Sequence, residues 1–172
     1  MNAYSSSIDV AAEDVNGMFK KILVPLDGSP HSKRALEIAV KIAERFDGAI
    51  TLLHVCSVAA RTIAMPEAVG LTPSSIPTMP PADFSKAIEA ASRAGSMILT
   101  DGEERAKAAG LSVELLLKEG HSVHEIVKTA GEGRFDLIVM GARGVSKIRE
   151  VFLGSVSDGV LRSAPCPVLV TK

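Results

Sequence analysis

Apolar residues follow two rhythms along this chain, and their alternation predicts the architecture. Nearly unbroken apolar runs occur at Ile22–Leu26 (ILVPL), 49–56 (AITLLHVC), 135–140 (FDLIVM) and 167–172 (PVLVTK). Runs of this length without polar alternation suit strands covered on both faces. A further run, 113–118 (VELLLK), alternates more and predicts an edge strand. Between the first two runs, Ala35, Ile38, Ala39, Ile42, Ala43 and Phe46 recur at helical spacing. Ser29-Pro30 ahead of them is a helix start, because the serine side chain can accept from a free N–H and proline suits the first helical position. Gly48 behind them reads as the stop.

Further helices are predicted at 83–109, with Gly110 after it, at 122–131 and at 155–163; Ser122-x-x-Glu125 has the spacing of a capping box. Strands separated by helices, with strands this apolar, predict an α/β fold: a doubly wound parallel sheet in one domain. Residues 57–82 break the rhythm. They hold Pro66, Pro73, Pro77, Pro80 and Pro81, five of the nine prolines in the chain. A connection of this length is either a disordered insertion or a loop for a partner.

Composition narrows the functional classes. A chain of 172 residues with 47% hydrophobic content supplies one well-buried domain. Net charge is −1, with no Trp, one Tyr and five Phe, so the basic footprint of a nucleic-acid binder is missing and few stacking platforms remain. No window approaches the roughly 18 apolar residues of a membrane span. Residues 1–17 lack the basic start and apolar core of a signal peptide and read as a loose extension, with Met18 a possible second initiator. Two cysteines, Cys56 and Cys166, make neither a disulfide framework nor a metal cluster, and a reducing, cytoplasmic setting is expected.

The candidate chemistry lies in 141–155, GARGVSKIREVFLGS. GARG follows a buried strand at its carboxyl end, where open α/β sheets bind ligands. Glycines let backbone N–H groups approach an anion, and Gly154-Ser155 opens a helix, itself a ready anion site. Arg143, Lys147 and Arg149 add positive charge. Against this stands a plainer reading: the glycines only turn the chain, and Ser155-x-x-Asp158 is a capping box. On spacing alone neither outweighs the other. No G-x-x-x-x-G-K-[ST] is present, and no G-x-G-x-x-G follows the first strand, so a P-loop NTPase and a dinucleotide dehydrogenase are both disfavoured.

Asp27, in PLDGS, lies past the first strand at the same end of the sheet. A carboxylate there can accept from ribose hydroxyls or hold a phosphate-bound metal ion; by composition alone the favoured reading is an Asp-Gly turn residue. Pro25 is unusual in a central strand because it cannot donate to the ladder, and can end the pairing beside a ligand. His121-x-x-His124 lacks a third ligand for zinc, and His54 inside an apolar strand reads as a core histidine. Ser29, His31 and Ser32 are neighbours without a nucleophile elbow.

Together ILVPLDGS, LLHV, DLIVMGARG and APCPVLV make the chain resemble the universal stress protein family, in its ATP-binding branch, from Phe19 to Lys172. The family's nucleotide motif, G-x2-G-x9-G-[S/T], stands here as Gly141, Gly144, Gly154 and Ser155 with the nine-residue interval intact. The resemblance implies a five-stranded parallel sheet of order 3-2-1-4-5, with ATP across the point where the order reverses. It implies that Pro25, Leu26 and Asp27 border adenosine, with Asp27 on the ribose and Val55 facing the adenine. Met140, Gly141, Ala142, Arg143 and Gly144 would line sugar and phosphates, and Gly154, Ser155, Val156 and Ser157 would bind phosphates through N–H groups and hydroxyls.

Three functions follow as expectations: an ATP-binding stress or signalling module, with Mg²⁺ accompanying the nucleotide; a slow ATPase or self-phosphorylating enzyme; and a nucleotide-free adaptor. The intact glycine motif disfavours the third. No dedicated base stands in the motif except Glu150, which reads as a solvated charge, so catalysis is not the expected role. A homodimer is expected through the last strand, 167–172.

Overall fold

The computed structural model describes residues 18–56, 81–144 and 153–172. The segments 1–17, most of the proline-rich stretch, and the interior of the arch between Gly144 and Gly154, with Lys147, Arg149 and Glu150, lie outside the described residues. Strands β1 (Lys21–Pro25), β2 (Ala49–Cys56), β3 (Val113–Glu119), β4 (Leu137–Gly141) and β5 (Val168–Thr171) form one sheet of order β3-β2-β1-β4-β5. Every pairing is parallel. The alternating run is one edge strand and the apolar run at 167–172 is the other, while the remaining three apolar runs are central.

Four helices connect the strands among the described residues: α1 (Pro30–Phe46), α2 (Pro81–Ala108), α3 (Ser122–Glu132) and α4 (Ser155–Ser163). Ala35, Leu36, Ala39 and Ala43 of α1 and Leu99 of α2 pack on Ile22, Val24, Ile50, Leu52 and Val139. Ile126 and Ala130 of α3 and Val160 of α4 pack on Leu23, Leu53, Ile138 and Met140 from the opposite face. The helices thus cover both faces, which is why the central strands carry no polar alternation. Ile22, Leu23 and Val24 are wholly buried; each apolar side chain so enclosed contributes about 1.5–3 kcal/mol.

Local signals succeed at some ends and fail at others. The Ser29 hydroxyl accepts from the Ser32 N–H at 3.1 Å, and Pro30 opens α1 as expected. The left-handed residue ending α1 is Asp47 (φ 52), not Gly48. Gly48 is required for space instead, since a Cβ there would strike the Phe19 carbonyl oxygen. Neither capping box forms. His121 and Gly154 are the N-caps of α3 and α4, neither with a side-chain bond, so Ser122 and Ser155 sit one residue inside their helices. Asp158 pairs instead with Arg162 at 3.0 Å. α2 begins at Pro81, so the proline-rich connection ends earlier than its composition suggested. β4 begins at Leu137 rather than Phe135, because the Asp136 carboxylate takes the Lys21 N–H at 2.8 Å in place of a ladder carbonyl.

A cleft at the switch point of the sheet

The order of strands reverses between β1 and β4, and there the two strands part. Their register covers only Ile22↔Leu137 and Leu23↔Ile138, whereas β1 stays paired with β2 as far as Pro25↔Leu53. Main-chain groups alternate sides along a strand. The Leu26 N–H reaches β2, at the Leu53 carbonyl (2.8 Å), so Pro25 has its missing donor on the β4 side. Pro25 therefore removes no ladder bond, and its ring stands where the strands diverge.

A cavity of ≈ 340 Å³ occupies this fork. It is lined by Pro25, Leu26, Asp27, Val55, Met140, Gly141, Arg143, Gly144, Gly154, Ser155, Val156 and Ser157, twelve of the thirteen residues singled out in the sequence. The thirteenth, Ala142, is buried behind the wall: its N–H donates to the Thr171 carbonyl (2.7 Å) and its own carbonyl accepts from Gly154 (2.8 Å). Ser32, Leu53, His54, Ser122 and Ile126 also line the cavity and were not anticipated as site residues. Ser122 had been assigned to a cap, and Leu53 and Ile126 carry only the core periodicity. With Val55, Met140 and Val156, Leu53 and Ile126 supply the apolar part of the lining.

Three loops are bound together around the opening. Asp27 Oδ1 accepts from the Ser29 N–H (3.0 Å), closing the turn in which Gly28 has φ 80, so the local turn reading of Asp27 holds. Its other oxygen lies against Gly144, where a Cβ would stand 2.5 Å from Oδ2. The Ser29 hydroxyl donates to the Arg143 carbonyl at 3.3 Å while capping α1. Gly141 packs against the first turn of α1, where a Cβ would lie 2.8 Å from the His31 backbone. Helix packing demands that glycine.

The donors at the start of α4 are not equivalent. The Gly154 N–H is spent on the Ala142 carbonyl, and the buried Ser157 hydroxyl donates to the Gly141 (2.9 Å) or Ala142 (3.2 Å) carbonyl. Those two groups were expected to serve phosphates, but the glycine loop uses them to fasten itself to α4. The first-turn N–H groups of Ser155, Val156 and Ser157 have no intrahelical acceptor, and the N-cap, Gly154, has no side chain to cap them. Ser155 is exposed. Gly154 itself has φ −64, and a Cβ would make only ordinary contact, 3.4 Å from the Ala142 carbonyl. Among the described residues nothing demands a glycine there.

A doubly wound α/β protein with a glycine-lined cleft at its switch point is the class these features define. The chain belongs to the universal stress protein family, whose model matches residues 18–172. Universal stress protein YxiE of Bacillus subtilis is 34% identical over 155 residues, 90% of this chain and 100% of the relative. Universal stress protein UspA from Lactobacillus plantarum has TM-score 0.71 at 25% identity, covering 90% of this chain and 99% of that one. A universal stress protein solved in complex with cAMP has TM-score 0.58 at 26% identity, covering 90% and 98%.

Proposed function

We propose that this chain is a nucleotide-dependent stress-response or signalling module that binds ATP in the switch-point cleft. The observation that carries the reading is the convergence of the Asp27 carboxylate, the Gly144 turn and the uncapped start of α4 on one cavity. Its ≈ 340 Å³ is near the lower end of ligand-site volumes, enough to enclose a nucleoside while phosphates reach toward the loop. The apolar wall of Leu53, Val55, Ile126, Met140 and Val156 suits a base. Asp27, with one oxygen committed to Ser29, has the other for ribose hydroxyls. The Ser155–Ser157 N–H groups meet phosphate at a helix start, where partial positive charge favours an anion. The cAMP complex of a relative supports an adenine nucleotide as the ligand class.

Among the described residues no group of three or more His, Cys, Asp or Glu is placed to hold a metal. A Mg²⁺ ion would accordingly arrive on the nucleotide, with phosphates and water as its main ligands and Asp27 the carboxylate within the lining. The same reading includes a homodimer through β5, an edge of the sheet. A reducing, cytoplasmic setting accords with two free thiols, Cys56 and Cys166, and among the described residues no helix is long and apolar enough to cross a membrane. Mass spectrometry of whatever the purified protein releases on denaturation tests the central claim. ATP at near-stoichiometric yield is expected; no nucleotide, together with no calorimetric binding of added ATP, overturns it.

A further inference from the structure

His54 is the lining residue whose chemistry the sequence hid. By strand alternation its side chain shares the α1/α2 face with Ile50 and Leu52, and its Nδ1 lies 2.7 Å from the Leu26 carbonyl oxygen. A carbonyl only accepts, so Nδ1 carries the proton. The position of this bond matters. In a continuing parallel ladder the Leu26 carbonyl would accept from the Val55 N–H, two residues beyond Leu53. The β1–β2 register instead stops at Pro25↔Leu53, and the last main-chain bond is Leu26 N–H to Leu53 O. The imidazole supplies the next donor in place of the backbone.

A consequence follows for Val55. Residues 53 and 55 turn their main-chain groups to the same side, and Leu53 faces β1. The Val55 N–H and C=O therefore face β1 beyond the end of its ladder, where Val55 lines the cleft. One residue thus offers an adjacent donor and acceptor to a planar heterocycle that has the complementary pair on one edge. α2 holds the histidine ring in place: a Cβ on Gly95 would lie 2.6 Å from His54 Cδ2.

We infer that His54 is a positioning residue for base recognition: by occupying the Leu26 carbonyl it keeps the Val55 main-chain edge available to the ligand. The ligand part of this inference rests on the nucleotide reading above; the hydrogen-bond part does not. His54→Leu removes the donor and lets Leu26 capture the Val55 N–H. His54→Asn keeps a side-chain N–H at the Nδ1 position.

The test pairs binding with amide exchange. In His54→Leu, ATP affinity should fall by about three- to tenfold, the span of one net hydrogen bond. Affinity for inorganic tripolyphosphate, which has no base, should not change, and His54→Asn should restore ATP binding. Independently of any ligand, the Val55 amide should exchange quickly in wild type and in His54→Asn and become protected in His54→Leu. Nitrogen-15 spectra should show the neutral ring protonated at Nδ1. Unchanged ATP affinity in folded His54→Leu, a parallel loss for tripolyphosphate, or failure of Asn to rescue would overturn the positioning role. A wild type that binds no nucleotide would sink the functional reading, and the exchange and nitrogen spectra would still decide the His54–Leu26 bond.

Discussion

The Asp27 carboxylate and Gly144 touch: a single carbon added to the glycine would stand 2.5 Å from Oδ2. This contact joins the loop after β1 to the loop after β4 across the fork in the sheet. Asp27 also lines the cavity, with Oδ1 held by the Ser29 N–H.

Gly144→Ala should therefore act on binding through Asp27. The new methyl displaces the carboxylate, and ATP affinity should drop by about tenfold, with Asp27→Ala giving a similar loss. Neither change should weaken tripolyphosphate comparably, because the ribose contact is what they remove. Titration calorimetry with both ligands checks this, and equal losses for the two ligands would place Asp27 at the phosphates instead.

Gly154 offers the opposite case. Its φ of −64 and the space around it accept a side chain. Gly154→Val should keep the fold, at a cost of about 1 kcal/mol for the poorer N-cap and a melting shift of a few degrees. It should nevertheless block phosphate from the Ser155–Ser157 N–H groups and reduce ATP affinity more than tenfold. Equal affinity in wild type and variant, by calorimetry, sinks this placement.

At the β5 edge, alternation decides which residues can recruit a second chain. Pro167 and Thr171 accept from β4, so the main-chain groups of Val168 and Val170 face outward. Such an exposed edge invites pairing, and a two-fold partner closes it. Val170→Pro removes an outward donor without touching a β4 bond. Sedimentation should show a dimer for wild type at micromolar concentration and a monomer for the variant. Removing residues 168–172 is the poorer test, because Ala142 would lose the Thr171 carbonyl that anchors the glycine loop.

Turnover should be slow. Phosphoryl transfer needs an oriented nucleophile as well as charge neutralisation, and the donors of the cleft supply only the second. Steady-state hydrolysis should remain far below the enzyme median of about 10 per second. A rate above roughly one per second that disappears in Glu150→Gln would identify an enzyme.

Strand and helix positions were legible in the chain because periodicity and capping are local: apolar runs at Ile22–Leu26 and 49–56, and Ser29-Pro30 ahead of α1, lie within a few residues of the structure they specify. The turn role of Asp27 was legible for a related reason, since a tight turn constrains residue type directly, whereas the glycine spacing was tied to a nucleotide only through family resemblance. The sheet order came through family resemblance, because hydrophobic pattern says that a strand is buried but not beside which neighbour. What the tertiary structure alone decided is how each polar group is used. Gly154 gives its N–H to Ala142, Ser157 its hydroxyl to the same loop, and His54 its Nδ1–H to Leu26. Each bond joins residues far apart in the chain, and a donor in such a pair reads the same in sequence whether it faces a ligand or a neighbouring carbonyl.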